Sequence, residues 1–143
     1  MSPDALILDG AINPAENTRL IGHDEAVAFL AESYQAGHLH HALLLEGPEG
    51  IGKATLAFRF AYHMLTHPVS GSAPGTVSDP DMNSPVLRQL ASGASHALLH
   101  LARPVDAKTG RVKSAITVDE VRRAGHFLSQ TSGTGNWRIV VID

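Results

Sequence analysis

Apolar positions along this chain follow two periods, one typical of helices and one typical of buried strands. Apolar residues at helical spacing predict a helix that Asp24 caps and that ends before Gly37, and a second helix over residues 54–65. Compact apolar runs predict three buried strands, at residues 41–46, 97–101 and 137–143. The alternation of strands with helices predicts an α/β fold with a parallel sheet.

Two shorter helices are predicted from signals at their starts. Ser84 and Pro85 form an N-cap and first-turn pair, which opens a helix that ends near Gly93. Thr117 and Glu120 occupy the two positions of a capping box and predict another helix. That helix is expected to turn three apolar residues inward: Val121, Phe127 and Leu128. Both helices lie between predicted strands, as an α/β alternation requires.

A long segment after the second helix carries no periodic pattern. Residues 68–84 are dominated by Pro, Gly and Ser, which favour turns over regular structure. Long loops without secondary structure of their own are uncommon in compact domains. We therefore predict a mobile loop over residues 67–85, and a shorter Gly/Ser/Thr loop at residues 131–136.

A glycine-rich turn joins the first predicted strand to the second helix. Gly47, Gly50, Gly52 and Lys53 match the pattern G-x-x-x-x-G-K, in which the glycines let the backbone turn tightly and aim several N–H groups at one point. The helix that follows adds the partial positive charge of its N-terminus, and the lysine places an ammonium against phosphate oxygens. Strand, glycine turn and helix in this order predict a P-loop fold with a nucleotide or phosphate site.

One residue departs from the phosphate-loop pattern. The position after the lysine normally supplies a hydroxyl that binds Mg²⁺, and here it is Ala54. A hydroxyl arrives one place later, on Thr55, but successive helical side chains point about 100° apart, so it is poorly placed to substitute. Because the metal neutralises charge on the transferred phosphoryl group, we expect ATP, ADP or phosphate to bind weakly and hydrolysis to be inefficient.

Composition and charge exclude several classes of protein. The chain has 143 residues, 43% of them hydrophobic and 17% charged, which suits one globular domain with a core. Its net charge of -3 gives no overall sign of nucleic-acid binding, and the lack of cysteine excludes disulfides and thiolate metal sites. The first residues lack a signal-peptide pattern and no apolar run approaches membrane-spanning length, so a soluble cytoplasmic protein with no membrane partner is expected.

The histidines raise the question of a metal site. His38, His40 and His41 cluster before the first predicted strand, and His63 and His67 lie one helical turn apart. The second pair lacks the glutamate that a zinc-protease motif carries after its first histidine. We interpret both groups as polar residues near the ends of elements and predict no bound metal. A histidine–metal protein is the weakest alternative.

Four sequence strings together resemble the AAA+ subunits of bacterial clamp loaders. They are L-I-G-H at residues 20–23, H-A-L-L-L-E-G-P-E-G-I-G-K-A at 41–54, I-T-V-D-E-V-R at 116–122 and W-R-I-V-V-I-D at 137–143. The last string resembles the strand that carries the Walker B aspartate. Within the family the similarity is greatest to the delta-prime branch of DNA polymerase III, and it covers most of residues 19–143. The phosphate loop alone is unspecific, whereas the second and third strings are much more specific.

This resemblance implies a fold and a site. The fold would be a three-layer AAA+ sandwich with a parallel sheet, of which residues 1–143 form an incomplete N-terminal part. The resemblance adds Ile21, Gly22 and Asp143 to the nucleotide site formed by the phosphate loop. Related subunits carry a four-cysteine zinc module after the phosphate-loop helix. Because this chain has no cysteine, no zinc is expected.

A function follows from the same resemblance. Clamp loaders use ATP to place a sliding clamp on primed DNA during replication, and the partners here would be the gamma/tau and delta subunits. Clamp and DNA would be reached through that complex. The chain would be a component of the polymerase holoenzyme, a nucleotidyltransferase, with no catalytic residue and no ATPase activity of its own. The alternative is an ATP-hydrolysing gamma/tau-like subunit or another P-loop enzyme. Ala54 favours the subunit without ATPase activity over this alternative.

Overall fold

The computed structural model describes residues 12–93, 95–103, 106–112, 114–130 and 136–143. Within these residues, four α-helices and two strands follow one another: α1 (Asp24–Gln35), α2 (Lys53–Thr66), α3 (Pro85–Ser92), β1 (Leu98–Leu101), α4 (Val118–Ser129) and β2 (Ile139–Ile142). The chain divides into a first compact unit, Pro14–Ser95, and a second unit that contains His96–Asp143. Among the described helices, none is both long enough and apolar enough to cross a membrane.

The core of the first unit is built by α2 together with α1 and α3. Leu56, Phe60 and Met64 of α2 are buried at the predicted fourth-residue spacing, so the predicted helical face is confirmed. Tyr34 of α1 is 1% exposed and its ring lies edge-on to Phe60, with ring centroids 6.1 Å apart. The third helix adds Leu87 and Leu90 to the same core. The core of this unit is therefore formed by side chains of α1, α2 and α3.

The N-caps of α3 and α4 differ in how well the sequence predicted them. At α3, the Ser84 hydroxyl accepts a 3.5 Å hydrogen bond from the backbone N–H of Leu87, as predicted. At α4, Thr117 is the N-cap but makes no side-chain capping bond, so the predicted capping box is wrong. The Glu120 carboxylate instead accepts a 2.8 Å hydrogen bond from Arg123, which satisfies its charge on the helix surface.

The second unit contains a parallel pair of strands. Leu98 pairs with Ile139 and Leu101 pairs with Ile142, which confirms the prediction of parallel strands for this pair. The helix α4 packs on β1. Phe127 of α4 also contacts the residue before β2, since the Arg138 guanidinium lies 5.0 Å from the centre of its ring.

The burial predicted for α4 is mostly wrong. Val121 is 59% exposed and Leu128 is 54% exposed, and α4 has no buried residue. Only Phe127, of the three residues predicted to face inward, is covered to an intermediate degree. The sequence pattern predicted the amphipathic helix but could not show which part of its apolar face packs on β1.

The first predicted strand is not a strand in this structure. Residues 41–46 take no part in a ladder within the described part of the chain, and Leu43 and Leu44 are 45% and 81% exposed. A strand is defined by the neighbour that pairs with it, and the sheet described here consists of β1 and β2 alone. An apolar run of this length predicts strand character without predicting a partner.

Two anchors hold the long loop after α2 to the helices. Ala73 is 2% exposed, and its carbonyl accepts a 3.0 Å hydrogen bond from the side-chain amide of Gln35. Asp79 is ion-paired with Arg59 of α2. Residues Ser70–Ser72 form a short 3₁₀ helix that the composition did not predict. The mobility predicted for residues 67–85 stays a prediction, and most of the loop predicted at 131–136 lies outside the described residues.

Candidate functional site

The candidate site is the glycine loop that leads into α2. Gly50 and Gly52 have φ angles of 82° and 101°, in the left-handed region that side chains other than glycine rarely adopt. Gly52 is the N-cap of α2, and its carbonyl accepts the first intrahelical hydrogen bond, from the N–H of Leu56 at 2.9 Å. The predicted glycine turn and helix are therefore present, in the predicted order.

The N-terminus of α2 has no side-chain cap. Gly52 carries no side chain, so the backbone N–H groups of the first turn, which include those of Lys53 and Ala54, lack the acceptor that Ser or Asp would supply. Uncapped N–H groups and the helix dipole together favour an anion at this position. The first turn of α2 also contains no acidic residue that would repel one.

The side chain of Lys53 folds over the loop. Its ammonium donates hydrogen bonds to the carbonyl oxygens of Gly47 at 2.6 Å and Pro48 at 3.1 Å. These bonds hold the positive charge next to the backbone of the glycine turn. An ammonium so placed can exchange carbonyl oxygens for the oxygens of a phosphate, to which charge-assisted bonds are stronger.

The loop departs from the phosphate-loop pattern at the residue after Lys53, where that pattern has a hydroxyl. Ala54 and Thr55 are both partly covered in the first turn of α2. The Ala54 methyl group offers no ligand to a cation, and the Thr55 hydroxyl begins from a position about 100° further around the helix. Hard cations such as Mg²⁺ need oxygen ligands in near-ideal geometry. The chain therefore keeps the glycine turn, the uncapped helix N-terminus and the lysine, and it lacks the hydroxyl next to the lysine.

A histidine that the sequence patterns did not single out contacts the loop. His23 is the N-cap of α1 and has left-handed backbone angles, φ 60° and ψ 28°. Its Nε2 lies 2.6 Å from the carbonyl oxygen of Ile51 in the glycine loop. The prediction that Asp24 caps α1 is off by one residue, because Asp24 is the first residue of the helix. The L-I-G-H string at residues 20–23 contains this histidine, but it did not predict the contact with the loop.

The segment that precedes α1 reaches the loop through this histidine. Gly22 has a φ of 76° and turns the chain toward α1, whereas the Ile21 side chain is 83% exposed. In the described structure His23 makes a hydrogen bond to the loop, and the Leu20 side chain also lies near Gly52, where an added Cβ would be 3.9 Å from it. A role of Ile21 and Gly22 in binding nucleotide stays a prediction.

Asp143 lies in the second unit. It follows β2, and its backbone N–H donates a 2.8 Å hydrogen bond to the carbonyl of Leu101, so it stands at the carboxyl end of the strand as predicted. Its carboxylate lies 3.8 Å from Nε2 of His100 on the neighbouring strand. Burial lowers the pKa of His100, and the negative charge of Asp143 acts in the opposite direction.

Among the described residues, no three or more histidine, cysteine, aspartate or glutamate side chains are arranged so that they could bind a metal ion. His63 is 3% exposed, and no hydrogen-bond partner is found for its Nε2 in the described part of the chain. Its ring is tilted against that of His67, with centroids 5.2 Å apart. The absence of a bound metal stays a prediction.

Comparison with protein families decides what kind of protein carries this loop. A family model described as "DNA polymerase III, delta subunit" matches residues 22–143. The chain belongs to this family. It is therefore related to the clamp-loader subunits of DNA polymerase III, and the match includes the contact histidine, the glycine loop and Asp143. No curated protein and no solved structure matched the chain in two further comparisons.

Proposed function

We propose that this clamp-loader family member is a subunit of the delta-prime type, which helps to load the sliding clamp on primed DNA without hydrolysing ATP itself. One observation carries the proposal. Ala54 stands directly after Lys53, in a loop that otherwise keeps its glycines, its uncapped helix N-terminus and its lysine. Loss of the hydroxyl removes a metal ligand and leaves the features that bind an anion.

The proposed chemistry of the loop is binding without turnover. Backbone N–H groups and Lys53 would bind the phosphates of ATP or ADP weakly, or inorganic phosphate. Hydrolysis needs a metal ion to neutralise the charge that develops on the phosphoryl group. Because Ala54 offers no oxygen to Mg²⁺, the bound nucleotide would be held without an efficient reaction.

The proposed fold is the three-layer AAA+ sandwich. Support comes from the glycine turn that leads into α2 and from the parallel pairing of β1 with β2. Asp143 at the carboxyl end of β2 occupies the edge at which ligands bind in parallel sheets.

The proposed partners are the gamma/tau and delta subunits of the clamp loader. Through that assembly the protein would act on the sliding clamp and on primed DNA. Cytoplasmic replication is the setting that this role implies, with no zinc and no membrane partner.

Reconstitution tests the role of the subunit. The intact protein is mixed with gamma/tau and delta subunits, sliding clamp and primed DNA, and clamp loading is measured with and without it. We expect loading to depend on the protein and to be nearly unchanged by the Lys53→Ala variant, because the partners supply the hydrolysis. Loading that proceeds equally well without the protein would contradict the proposed role.

The second candidate is an ATP-hydrolysing subunit of the gamma/tau type. The observation that favours it is Thr55, whose hydroxyl lies in the same helical turn as the missing one. Comparison of Ala54→Thr with Thr55→Ala separates the two candidates. If the missing hydroxyl weakens the site, Ala54→Thr increases the Mg²⁺-dependent affinity for ATP and Thr55→Ala changes nothing. If Thr55 already binds the metal, Thr55→Ala abolishes that dependence.

A further inference from the structure

The contact between His23 and the glycine loop joins two segments that are 28 residues apart in sequence. The ring nitrogen Nε2 of His23 lies 2.6 Å from the Ile51 carbonyl oxygen. A carbonyl only accepts, so Nε2 must carry the proton and donate it. The ring nitrogen is also close to Gly52, where an added Cβ would be 3.7 Å from Nε2 and 3.9 Å from the Leu20 side chain. The histidine therefore binds one defined peptide group, the one between Ile51 and Gly52.

The backbone of His23 shows that this contact is not a by-product of helix capping. At an N-cap, a polar side chain usually accepts a hydrogen bond from its own helix, yet His23 makes no such bond. Its φ of 60° is uncommon for a residue other than glycine. This conformation begins α1, since the His23 carbonyl accepts the N–H of Val27 at 2.9 Å, while the side chain bonds to the loop instead.

Holding the Ile51 carbonyl also fixes a donor of the phosphate cradle. The peptide bond is planar and trans, so the N–H of Gly52 points opposite to the Ile51 carbonyl, away from His23. Glycine tolerates both signs of φ, so the peptide before Gly52 can reverse at little steric cost unless something holds it. Reversal would replace an N–H donor by a carbonyl oxygen on the side away from His23, which repels an anion.

We propose that His23 is a positioning residue for the phosphate loop, which selects the orientation of the Ile51–Gly52 peptide that presents the Gly52 N–H to a bound phosphate. This inference rests on the proposed function for the affinity that it predicts. The orientation of the peptide itself does not depend on nucleotide. The two can therefore fail separately.

The test uses intact protein labelled with ¹⁵N-glycine and three variants. His23→Gly removes the ring and keeps the left-handed backbone, so it isolates the side chain from the strain that alanine would add. His23→Gln restores an N–H donor on a flexible side chain. His40→Ala is the matched control, because His40 is an exposed histidine on the segment before the loop. Gly93, at the end of α3, reports whether the fold is intact.

We expect one sharp Gly52 resonance in the wild type and in His40→Ala. In His23→Gly the Gly52 resonance should broaden or split because the peptide exchanges between two orientations, while the Gly93 resonance stays unchanged. Affinity for a fluorescent ADP analogue should fall about fivefold, the effect of one lost hydrogen bond. His23→Gln should restore both properties in part.

An unchanged Gly52 resonance in a folded His23→Gly variant would overturn the proposal, and so would a failure of His23→Gln to restore it. If the wild type binds no ADP analogue, nucleotide binding in the proposed function is wrong, and the Gly52 resonance still decides the role of His23. If His23→Gly does not fold, His23→Asn replaces it, because asparagine tolerates the left-handed backbone and is too short to reach Ile51.

Discussion

The hydroxyl of Tyr34 donates a 2.6 Å hydrogen bond to the carbonyl oxygen of His67, the residue that ends α2. The bond joins the end of α1 to the end of the helix that begins at the glycine loop. Tyr34 is 1% exposed and His67 is partly exposed, so the hydrogen bond is partly buried. The helix that carries Lys53 at its start is thus held at its other end by this partly buried hydrogen bond.

The Tyr34→Phe variant tests that bond. Removing the hydroxyl leaves the His67 carbonyl without this donor and should lower the free energy of unfolding by about 1–2 kcal/mol. The measurement is urea unfolding followed by circular dichroism. Tyr62→Phe is the control, since Tyr62 lies on α2, the helix that His67 caps, and is only partly covered. Equal losses of unfolding free energy in the two variants would show that the hydrogen bond from Tyr34 to His67 adds no stability of its own.

The ion pair between Arg59 and Asp79 predicts how the long loop responds to mutation. The Arg59 side chain is 3% exposed and the Asp79 side chain is 68% exposed, so Asp79→Asn leaves a buried guanidinium without its counter-charge. The second described hydrogen bond of Arg59, from Nη2 to the Asn17 carbonyl at 3.3 Å, remains. We expect a loss of about 1 kcal/mol, because the exposed partner is screened by solvent.

Limited proteolysis measures the same ion pair from the loop itself. The wild type should be cut first within residues 67–85, and Asp79→Asn should be cut faster there. The Asp81→Asn variant, which changes an exposed carboxylate two residues away, should be cut at the wild-type rate. Protection of this loop equal to that of the helices would contradict its predicted mobility, and equal rates for both variants would contradict the role of the ion pair.

His63 predicts a pH dependence of stability. Burial, and to a lesser degree the neighbouring His67, lowers the pKa of His63 from 6.5. The folded state therefore prefers the neutral ring, whereas the unfolded chain binds a proton as the pH falls through 6.5. Stability should be fully present above that pH and should decline below it, until the pH reaches the lower pKa of the folded state.

The measurement is the urea midpoint between pH 8 and pH 5. The His63→Leu variant should flatten the decline, because it removes the titrating ring and the buried nitrogen for which the described chain offers no partner. His40→Ala should keep the wild-type slope, since His40 is exposed. A decline of the same size in His63→Leu would assign the pH dependence to other groups.

The accuracy of the sequence predictions follows from what each pattern encodes. The faces of α2 and the cap of α3 are local, since spacing and an N-cap serine act within a few residues, and both were confirmed. The absence of a ladder at residues 41–46 and the exposure of α4 depend on neighbours that no local pattern specifies. The family match supports the clamp-loader relation, which the four sequence strings had indicated.

The candidate site shows the same division. The glycines and Lys53 were found by sequence because the backbone turn they form dictates residue type at fixed spacing. The contact of His23 with Ile51 joins residues far apart in sequence, and a single histidine before a helix does not predict it. The left-handed angles of His23 became visible only in the three-dimensional structure.

Steady-state ATP turnover by the intact subunit alone tests whether the phosphate loop lacks hydrolytic activity, as we propose. Ala54 removes the ligand that Mg²⁺ needs, so we predict phosphate release indistinguishable from that of the Lys53→Ala variant, which lacks the ammonium of the cradle. A turnover of about 1 s⁻¹, within the usual range of enzymes, that disappears in Lys53→Ala would show that this loop hydrolyses ATP.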